Sequence, residues 1–301
     1  MAFDKDVGRA ADRESFGLQG FGAMRLRAGN DGTDRDPTAV VHAALDAGIR
    51  VVDTADAYQN EELVGRIIRG RRDEVLLATK FGLVWRDAVA GGFQVRADPS
   101  YVREACEASL RRLGVDVIDL YYLHHRSEDT PIEETVTAMA GLVAQGKVRA
   151  IGLSNVTAGD LRRAHAVHPI TALQEQWSLD QREIEHELLP TAVELGIVVV
   201  AHSPTSHGLL HRAVESSTTG VSGLTSALVE VAEAQGVTAG QVALAWVHHQ
   251  QQVHGVPVVP IPGTSSLTHL RDNVAAAALS LSDDELRRLD SGSRAPAGSR
   301  R

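Results

Sequence analysis

Residues 49–58, IRVVDTADAY, decide how this chain folds. Ile49, Val51 and Val52 are β-branched and apolar, which favours an extended strand over a helix. An apolar run that does not alternate with polar residues reads as a strand buried on both faces, as in a parallel sheet. Asp53 closes the run, and Tyr58 follows past Thr54, Ala55, Asp56 and Ala57. An acid at the end of a buried strand is costly unless it is paired. Two readings of Asp53 stand at this point: it caps the helix starting near Asn60, or it meets a partner at the end of the sheet.

Outward from this stretch the same unit repeats. A short first strand over 18–26 runs into a Gly-rich turn, and 36–47 has helical spacing with Gly48 as its C-terminal cap. After strand 49–53 come helix 61–69, strand 75–80, a long loop over 82–98 carrying Trp85 and Phe93, and helix 100–113. Strand 117–124, helix 132–145, strand 150–153, helix 158–166, strand 171–174, helix 183–195 and strand 197–201 follow. A polar loop spans 203–223; helices 224–235 and 239–249, strand 257–260 and helices 267–276 and 283–290 complete the order. Strict strand–helix alternation makes a parallel sheet, and eight such units close into a (β/α)8 TIM barrel. The open doubly wound sheet is the rival, weakened by the lack of a G-x-G-x-x-G after an early strand. No linker or composition break divides the chain, so a single domain over 17–290 is expected.

The length of 301 residues admits two average domains or one large barrel. A formal charge of −9, from 30 basic and 39 acidic residues, argues against a nucleic-acid surface but leaves room for one anionic ligand held locally. Cys106 is the only cysteine, so no intramolecular disulfide forms and a reducing compartment is expected. Residues 1–16 lack the apolar core of a secretory signal and read as flexible. The tail 291–301, rich in Ser, Gly, Arg and Pro, reads as disordered. No segment approaches the roughly 18 unbroken apolar residues of a membrane span. The expectation is a cytoplasmic protein with no membrane or nucleic-acid partner, a monomer or homo-oligomer.

Active sites of such barrels sit at the C-terminal ends of the strands. There the sequence places Asp53 with Tyr58 beyond it, Lys80, His124 and His125, Ser154 and Asn155, Gln174, His202 and Ser203, and residues 261–265. Taken singly, a strand-end lysine is a solvated edge, a histidine is hydrogen-bonded, and Ser-Asn is a turn or cap. Together they bring Asp, Tyr, Lys and His to one rim, which suggests general acid catalysis by a phenol. Tyrosine, with a pKa of about 10, is a weak acid at pH 7. An ammonium about 4 Å away attracts the phenolate by roughly 4 kcal/mol at an effective dielectric of about 20, on the order of three pKa units downward. Asp53 would hold Lys80, His124 would orient the substrate oxygen, Tyr58 would move the proton, and a cofactor would supply hydride. The histidines form no H-x-H or H-E-x-x-H set, so no metal site is expected.

The sequence resembles the aldo-keto reductases over about residues 18–290. The resemblance rests on GIRVVDTADAYQNEELVGRII, LLATKFG, VDVIDLYYLHHRSEDTP, GKVRAIGLSN, ITALQEQWSL and PIPGTSSLTHLRDN, and points to bacterial members related to the potassium-channel β subunits. It implies that Asp53, Tyr58, Lys80 and His124 are the catalytic tetrad and that NADPH lies across the rim. It further implies nicotinamide contacts at Ser154, Asn155 and Gln174, pyrophosphate contacts at Ser203, Pro204, Gly208 and Leu209, and adenosine contacts at Gly263, Thr264, Ser265, His269 and Asn273. Gly22, Ala23, Met24, His202, Ile261 and Pro262 are implied as further cofactor-binding residues. A helix start near Ser266 would add backbone donors there. Met24, Trp85, Phe93, His125 and Trp177 are candidate substrate-pocket walls, with core packing the alternative for Trp177.

Three departures from the family pattern follow. His202 stands where a Tyr or Phe usually stacks on the nicotinamide. Ser265 and His269, with Arg271 beyond, stand where a Lys or Arg often meets the 2′-phosphate, which opens NADH use beside NADPH. The loop TSHGLLHRAVESSTTG over 205–220 is shorter than usual. The implied activity is NADPH-dependent reduction of a small-molecule carbonyl substrate, an aldehyde or ketone, or oxidation of the corresponding alcohol, by hydride transfer with Tyr58 as general acid/base. A regulatory subunit with vestigial catalysis and a redox-neutral enzyme that recycles its nicotinamide are the alternatives.

Overall fold

The apolar runs fold as short parallel strands, and helices cover their outer faces. The computed structural model describes residues 16–29, 32–85, 92–206 and 223–293. In chain order the elements are β1 (Phe21–Gly22), α1 (Pro37–Asp46), β2 (Val51–Asp53), α2 (Glu61–Ile68), β3 (Leu76–Phe81), β4 (Leu83–Trp85), β5 (Phe93–Val95) and α3 (Pro99–Leu113). They continue as β6 (Ile118–Leu123), α4 (Ile132–Ala144), β7 (Val148–Ser154), α5 (Ala158–Val167), β8 (Ala172–Gln176), α6 (Leu188–Leu195) and β9 (Val198–His202). The chain ends with α7 (Gly223–Gln235), α8 (Ala239–His254), β10 (Val258–Pro260), α9 (Leu267–Ala276) and α10 (Asp283–Ser293).

Eight strands form one parallel sheet in the order β1-β2-β3-β6-β7-β8-β9-β10. A parallel bridge joins Gly22 to Gly263. Gly20 N–H donates to the Pro260 carbonyl at 3.0 Å, and Gly22 N–H to that of Pro262 at 3.3 Å. These contacts bring the last strand onto the first, so the sheet curls round into the single-domain (β/α)8 barrel that the alternation predicts.

Side chains of a strand alternate between faces, so inward positions recur every second residue. Val51, Leu76, Ala78, Leu120, Tyr122, Ala150, Ala172, Val198, Val200, Val259 and Ile261 fill the barrel as one cluster. The larger core lies between the sheet and the helices. Tyr122 is accommodated by its neighbour: a Cβ on Gly152 would stand 2.4 Å from the Tyr122 ring. Phe16 is fully buried and joins the inner cluster, although the sequence places it in a loose leader. A large apolar side chain at that end of the barrel removes more surface from water than it costs to order.

Several boundaries differ for identifiable reasons. The loop expected over 82–98 contains an antiparallel hairpin, with Leu83 opposite Val95 and Trp85 opposite Phe93. The rings of that second pair lie 3.9 Å apart, a cross-strand contact of the kind that stabilises a hairpin. The helix expected over 183–195 splits into a 3-10 turn, Glu183–Glu185, and α6. Pro190 sits in the first turn of α6, where no N–H is needed and a longer helix could not pass. The helix α8 runs to His254 and ends on Gly255 at φ 65°, and α10 continues to Ser293. Among the described residues, no helix is long and apolar enough to cross a membrane.

Candidate active site

The period that fills the barrel also builds its rim. Asp53 follows Val51 by two residues, Lys80 follows Ala78, His124 follows Tyr122, Gln174 follows Ala172 and His202 follows Val200. Each is the next inward position at the C-terminal end of its strand. Lys80 is 1% exposed and Asp53 3%. Lys80 Nζ donates to Asp53 Oδ1 at 2.5 Å and to the Thr54 carbonyl at 3.0 Å. Gln174 Nε2 donates to Asp53 Oδ2 at 2.9 Å. The carboxylate therefore pairs within the sheet and caps no helix. Asn60 stands at the start of α2, accepting from Thr54 Oγ1 at 2.7 Å and donating to the Ala23 carbonyl at 2.8 Å.

Tyr58 reaches this pair from one 3-10 turn, Asp56–Tyr58, placed after β2. Lys80 Nζ lies 5.1 Å from the Tyr58 ring centroid. The His124 ring meets Tyr58 edge-on, with centroids 5.8 Å apart. Burial pushes the Tyr58 phenol above its usual pKa, and the Lys80 ammonium opposes this without reversing it. The lowered pKa expected from sequence is thus overturned, because desolving a phenolate outweighs attraction to an ammonium already paired with Asp53. Burial disfavours the Lys80 ammonium, but Asp53 and Tyr58 together more than offset it, and the lysine stays charged. Burial, followed by the charge of Lys80, lowers His124 to about 3, so its imidazole is neutral at pH 7. His124 Nδ1 is buried without a hydrogen-bond partner among the described residues.

A cleft of about 860 Å³ lies over these groups. Asp53, Tyr58 and His124 reach it, whereas Lys80 is buried outside its lining. Its walls carry Gly22, Met24, Ser154, Asn155, Gln174, His202, Ser203, Pro204, Ile261, Pro262, Gly263, Thr264, Ser265, His269 and Asn273, with Trp85 and Phe93. Ala23 is buried outside the lining, its N–H on the Asp53 carbonyl at 2.8 Å. Gly208 and Leu209 lie outside the described residues.

Two expected pocket walls are elsewhere. Trp177 is fully buried and donates through Nε1 to Glu185 Oε1 at 3.0 Å, so core packing wins. His125 is exposed, with Nδ1 2.9 Å from the Arg126 carbonyl oxygen, and it does not line the cleft.

Backbone strain concentrates on the same walls. Gln59, Asn155 and Ser203 adopt left-handed φ of 57°, 52° and 50°, and all three line the cleft. Each such residue costs about 1–3 kcal/mol and persists where the surroundings fix it, commonly at functional sites. Asn155 is fixed by bonds from Nδ2 to the His124 carbonyl at 2.9 Å and to Ser154 Oγ at 3.0 Å.

The segment after β1 contributes three arginines that sequence reasoning missed: Arg25, Arg27 and Arg35 line the cleft. Their signal was a basic cluster in an acidic chain. Arg27 is anchored to the carbonyls of Met24 and Leu26 at 2.8 and 2.7 Å. Asp34 grips the start of α9: Ser266 Oγ donates to its carboxylate at 2.6 Å, Thr268 N–H at 3.2 Å, and Leu267 N–H donates to its carbonyl at 2.9 Å. The backbone donors expected to be free at this helix start are therefore taken. Arg271 is exposed and does not line the cleft. Among the described residues, no cluster of His, Cys, Asp and Glu could hold a metal ion.

The sequence profile of the aldo/keto reductase family matches residues 20–294. The chain belongs to that family. An aldo-keto reductase from Klebsiella pneumoniae, solved in complex with NADPH, is 33% identical with a TM-score of 0.76, over 93% of this chain and 92% of its own. A holo-form aldo-keto reductase from Bacillus halodurans is 30% identical, TM-score 0.76, covering 93% of each chain. A glycerol dehydrogenase from Gluconobacter oxydans is 28% identical, TM-score 0.79, over 92% of this chain and 91% of its own. As a member of this family, the aldo-keto reductase described here is an oxidoreductase.

Proposed function

We propose that this aldo-keto reductase uses NADPH to reduce an aldehyde or ketone, with Tyr58 as the proton donor. The observation that carries the reading is the buried Asp53–Lys80 pair beside Tyr58, with a neutral His124 against the phenol ring. The walls suit a dinucleotide. Ser154, Asn155 and Gln174 offer hydroxyl and amide groups that complement a carboxamide. At Gly22 and Gly263 a Cβ would stand 2.9 Å from the Ile261 and Gly22 carbonyl oxygens, so bare backbone lines the seam an extended ligand would cross. The Klebsiella relative in complex with NADPH supports the same cofactor.

Bound NADPH supplies hydride to the carbonyl carbon, which no side chain can do. Tyr58 gives its phenolic proton to the carbonyl oxygen, and its raised pKa keeps that proton in place at neutral pH. Lys80 stabilises the phenolate left behind until solvent returns a proton, and Asp53 holds the ammonium in place. His124, neutral and therefore carrying one ring N–H, donates to the substrate oxygen and orients it. Trp85 and Phe93 offer an apolar wall to the substrate's remainder.

The test is titration with NADPH followed by turnover of 4-nitrobenzaldehyde, in the wild type and in Tyr58→Phe. Of the three tryptophans, Trp177 and Trp246 are buried in the core and Trp85 lines the cleft, so Trp85 reports binding by quenching. Turnover should fall by about 10²–10⁴ in Tyr58→Phe while binding is kept. Tight binding without carbonyl turnover in the wild type would overturn the reading.

A further inference from the structure

The loop after β10 and the first turn of α9 offer Ser265 and His269 toward the cleft but no lysine or arginine. The N–H groups of Leu267 and Thr268 at the head of α9 are engaged by Asp34. A dianionic phosphate arriving here would lack both a permanent cation and free helix donors from this side of the cleft.

The segment between β1 and α1 provides one. Asp34 pins the segment between β1 and α1 directly onto Ser266 and Thr268. Asp36, two residues on, caps α1 through the N–H groups of Thr38 and Ala39. Arg35 is held between these two anchors, is exposed, and lines the same cleft as Ser265 and His269. Its backbone N–H is tied to Thr33 Oγ1 at 3.1 Å. Among the described residues, its guanidinium makes no salt bridge and no hydrogen bond, unlike that of Arg27. The Asp34 carboxylate does not pair with it, because both oxygens already accept from Ser266 and Thr268. The backbone beneath this guanidinium is already ordered by its two anchors, and the planar fork matches phosphate oxygens.

We propose that Arg35 receives the 2′-phosphate of NADPH, replacing from the neighbouring segment the cation missing from the loop after β10. The residue would then set the preference of this enzyme for NADPH over NADH, with Ser265 and His269 as neutral partners. The inference rests on the cofactor reading given above, and binding measurements separate the two.

Dissociation constants for NADPH, NADH and 2′,5′-ADP are measured by calorimetry for the wild type, Arg35→Ala and Arg35→Lys. Arg35→Ala should weaken NADPH and 2′,5′-ADP by about tenfold to a hundredfold and change NADH by less than about twofold. Arg35→Lys should recover part of the loss, since the charge returns without the fork. Raising salt should weaken NADPH in the wild type more than in Arg35→Ala. Equal changes for NADPH and NADH, or none for either, would overturn the role of Arg35 and leave the cofactor reading standing. A wild type that binds neither nucleotide would overturn both.

Discussion

Replacing Asp53 with asparagine removes one charge from the most deeply buried ion pair of this enzyme. The Lys80 and Asp53 side chains are 1% and 4% exposed, and their closest atoms are 2.5 Å apart. At that distance the gross attraction is about 6–7 kcal/mol at an effective dielectric of about 20. Asparagine keeps an oxygen acceptor for either Lys80 or Gln174 but cannot compensate the ammonium. Stranding one buried charge typically costs about 3–5 kcal/mol. Asp53→Asn should therefore lower stability by that amount, a fall in Tm of roughly 5–8 °C for a chain of this size. Its Lys80 should also lose its proton more readily, because burial then acts unopposed by Asp53. Lys80→Met strands the carboxylate and should cost about as much, whereas the double variant leaves no charge behind and should be near neutral. Urea denaturation of the three variants completes the cycle. A cost below about 1 kcal/mol for Asp53→Asn, or additive single costs, would show that water reaches the pair and would refute the reasoning.

The pH dependence follows from two groups on opposite sides of neutrality. Tyr58 titrates above its usual value and His124 at about 3, so kcat/KM for carbonyl reduction should be flat from pH 7 to about 10, while alcohol oxidation should rise up to tenfold per unit. A fall in reduction near pH 8, followed by steady-state assay, would exclude Tyr58 as the acid. Burial, and then the charge of Glu61, raises Asp56 to about 7, and one of its oxygens has no hydrogen-bond partner among the described residues. With the folded pKa above the unfolded one, its contribution to stability is complete below about pH 4 and lost as pH rises through about 7. Asp56→Asn should therefore gain about 2–4 kcal/mol over the wild type at pH 8 and nothing at pH 4, read by denaturation at both. In the cleft, His202→Tyr should preserve or tighten NADPH binding, since a phenol ring offers more stacking area than imidazole; a large loss on titration would contradict this.

The barrel was legible because its signal is local and repeated. An apolar strand ending in a polar residue recurs around the sheet, and period two carries Asp53, Lys80, His124, Gln174 and His202 inward without knowledge of tertiary contacts. Trp177 and His125 show the limit of that logic. Trp177 lies beyond Gln176 where β8 has ended, so period two no longer speaks, and its indole N–H found Glu185 within the core. His125 likewise lies beyond Leu123, where β6 has ended, and its exposed ring turns to the Arg126 carbonyl. The hairpin over Leu83–Trp85 and Phe93–Val95 carried strand-forming residues, but a pair of strands standing off the barrel breaks the alternation that guided the reading. The arginines after β1 escaped because their meaning depends on Asp34 reaching the head of α9, a contact 232 residues apart in sequence.

Tyr58 shows why distance alone misjudges a buried acid. The sequence estimate lets one ammonium act on one phenol at about 4 Å, in a medium that costs the phenolate nothing. In the barrel the lysine's nearest anion is Asp53, at 2.5 Å, and the Tyr58 ring centre is 5.1 Å away. The field reaching the phenol is that of a compensated pair, which falls off faster than that of a bare charge. The phenolate must also leave water, a cost that grows with burial and that no neighbouring donor removes in full. In the proposed reaction this centre would hold its proton until a substrate oxygen approaches, when developing negative charge on that oxygen would draw the proton across. Lys80 would then stabilise the phenolate only as it forms. An interaction that strengthens along the reaction, and is weak before it, lowers the barrier instead of deepening the ground state.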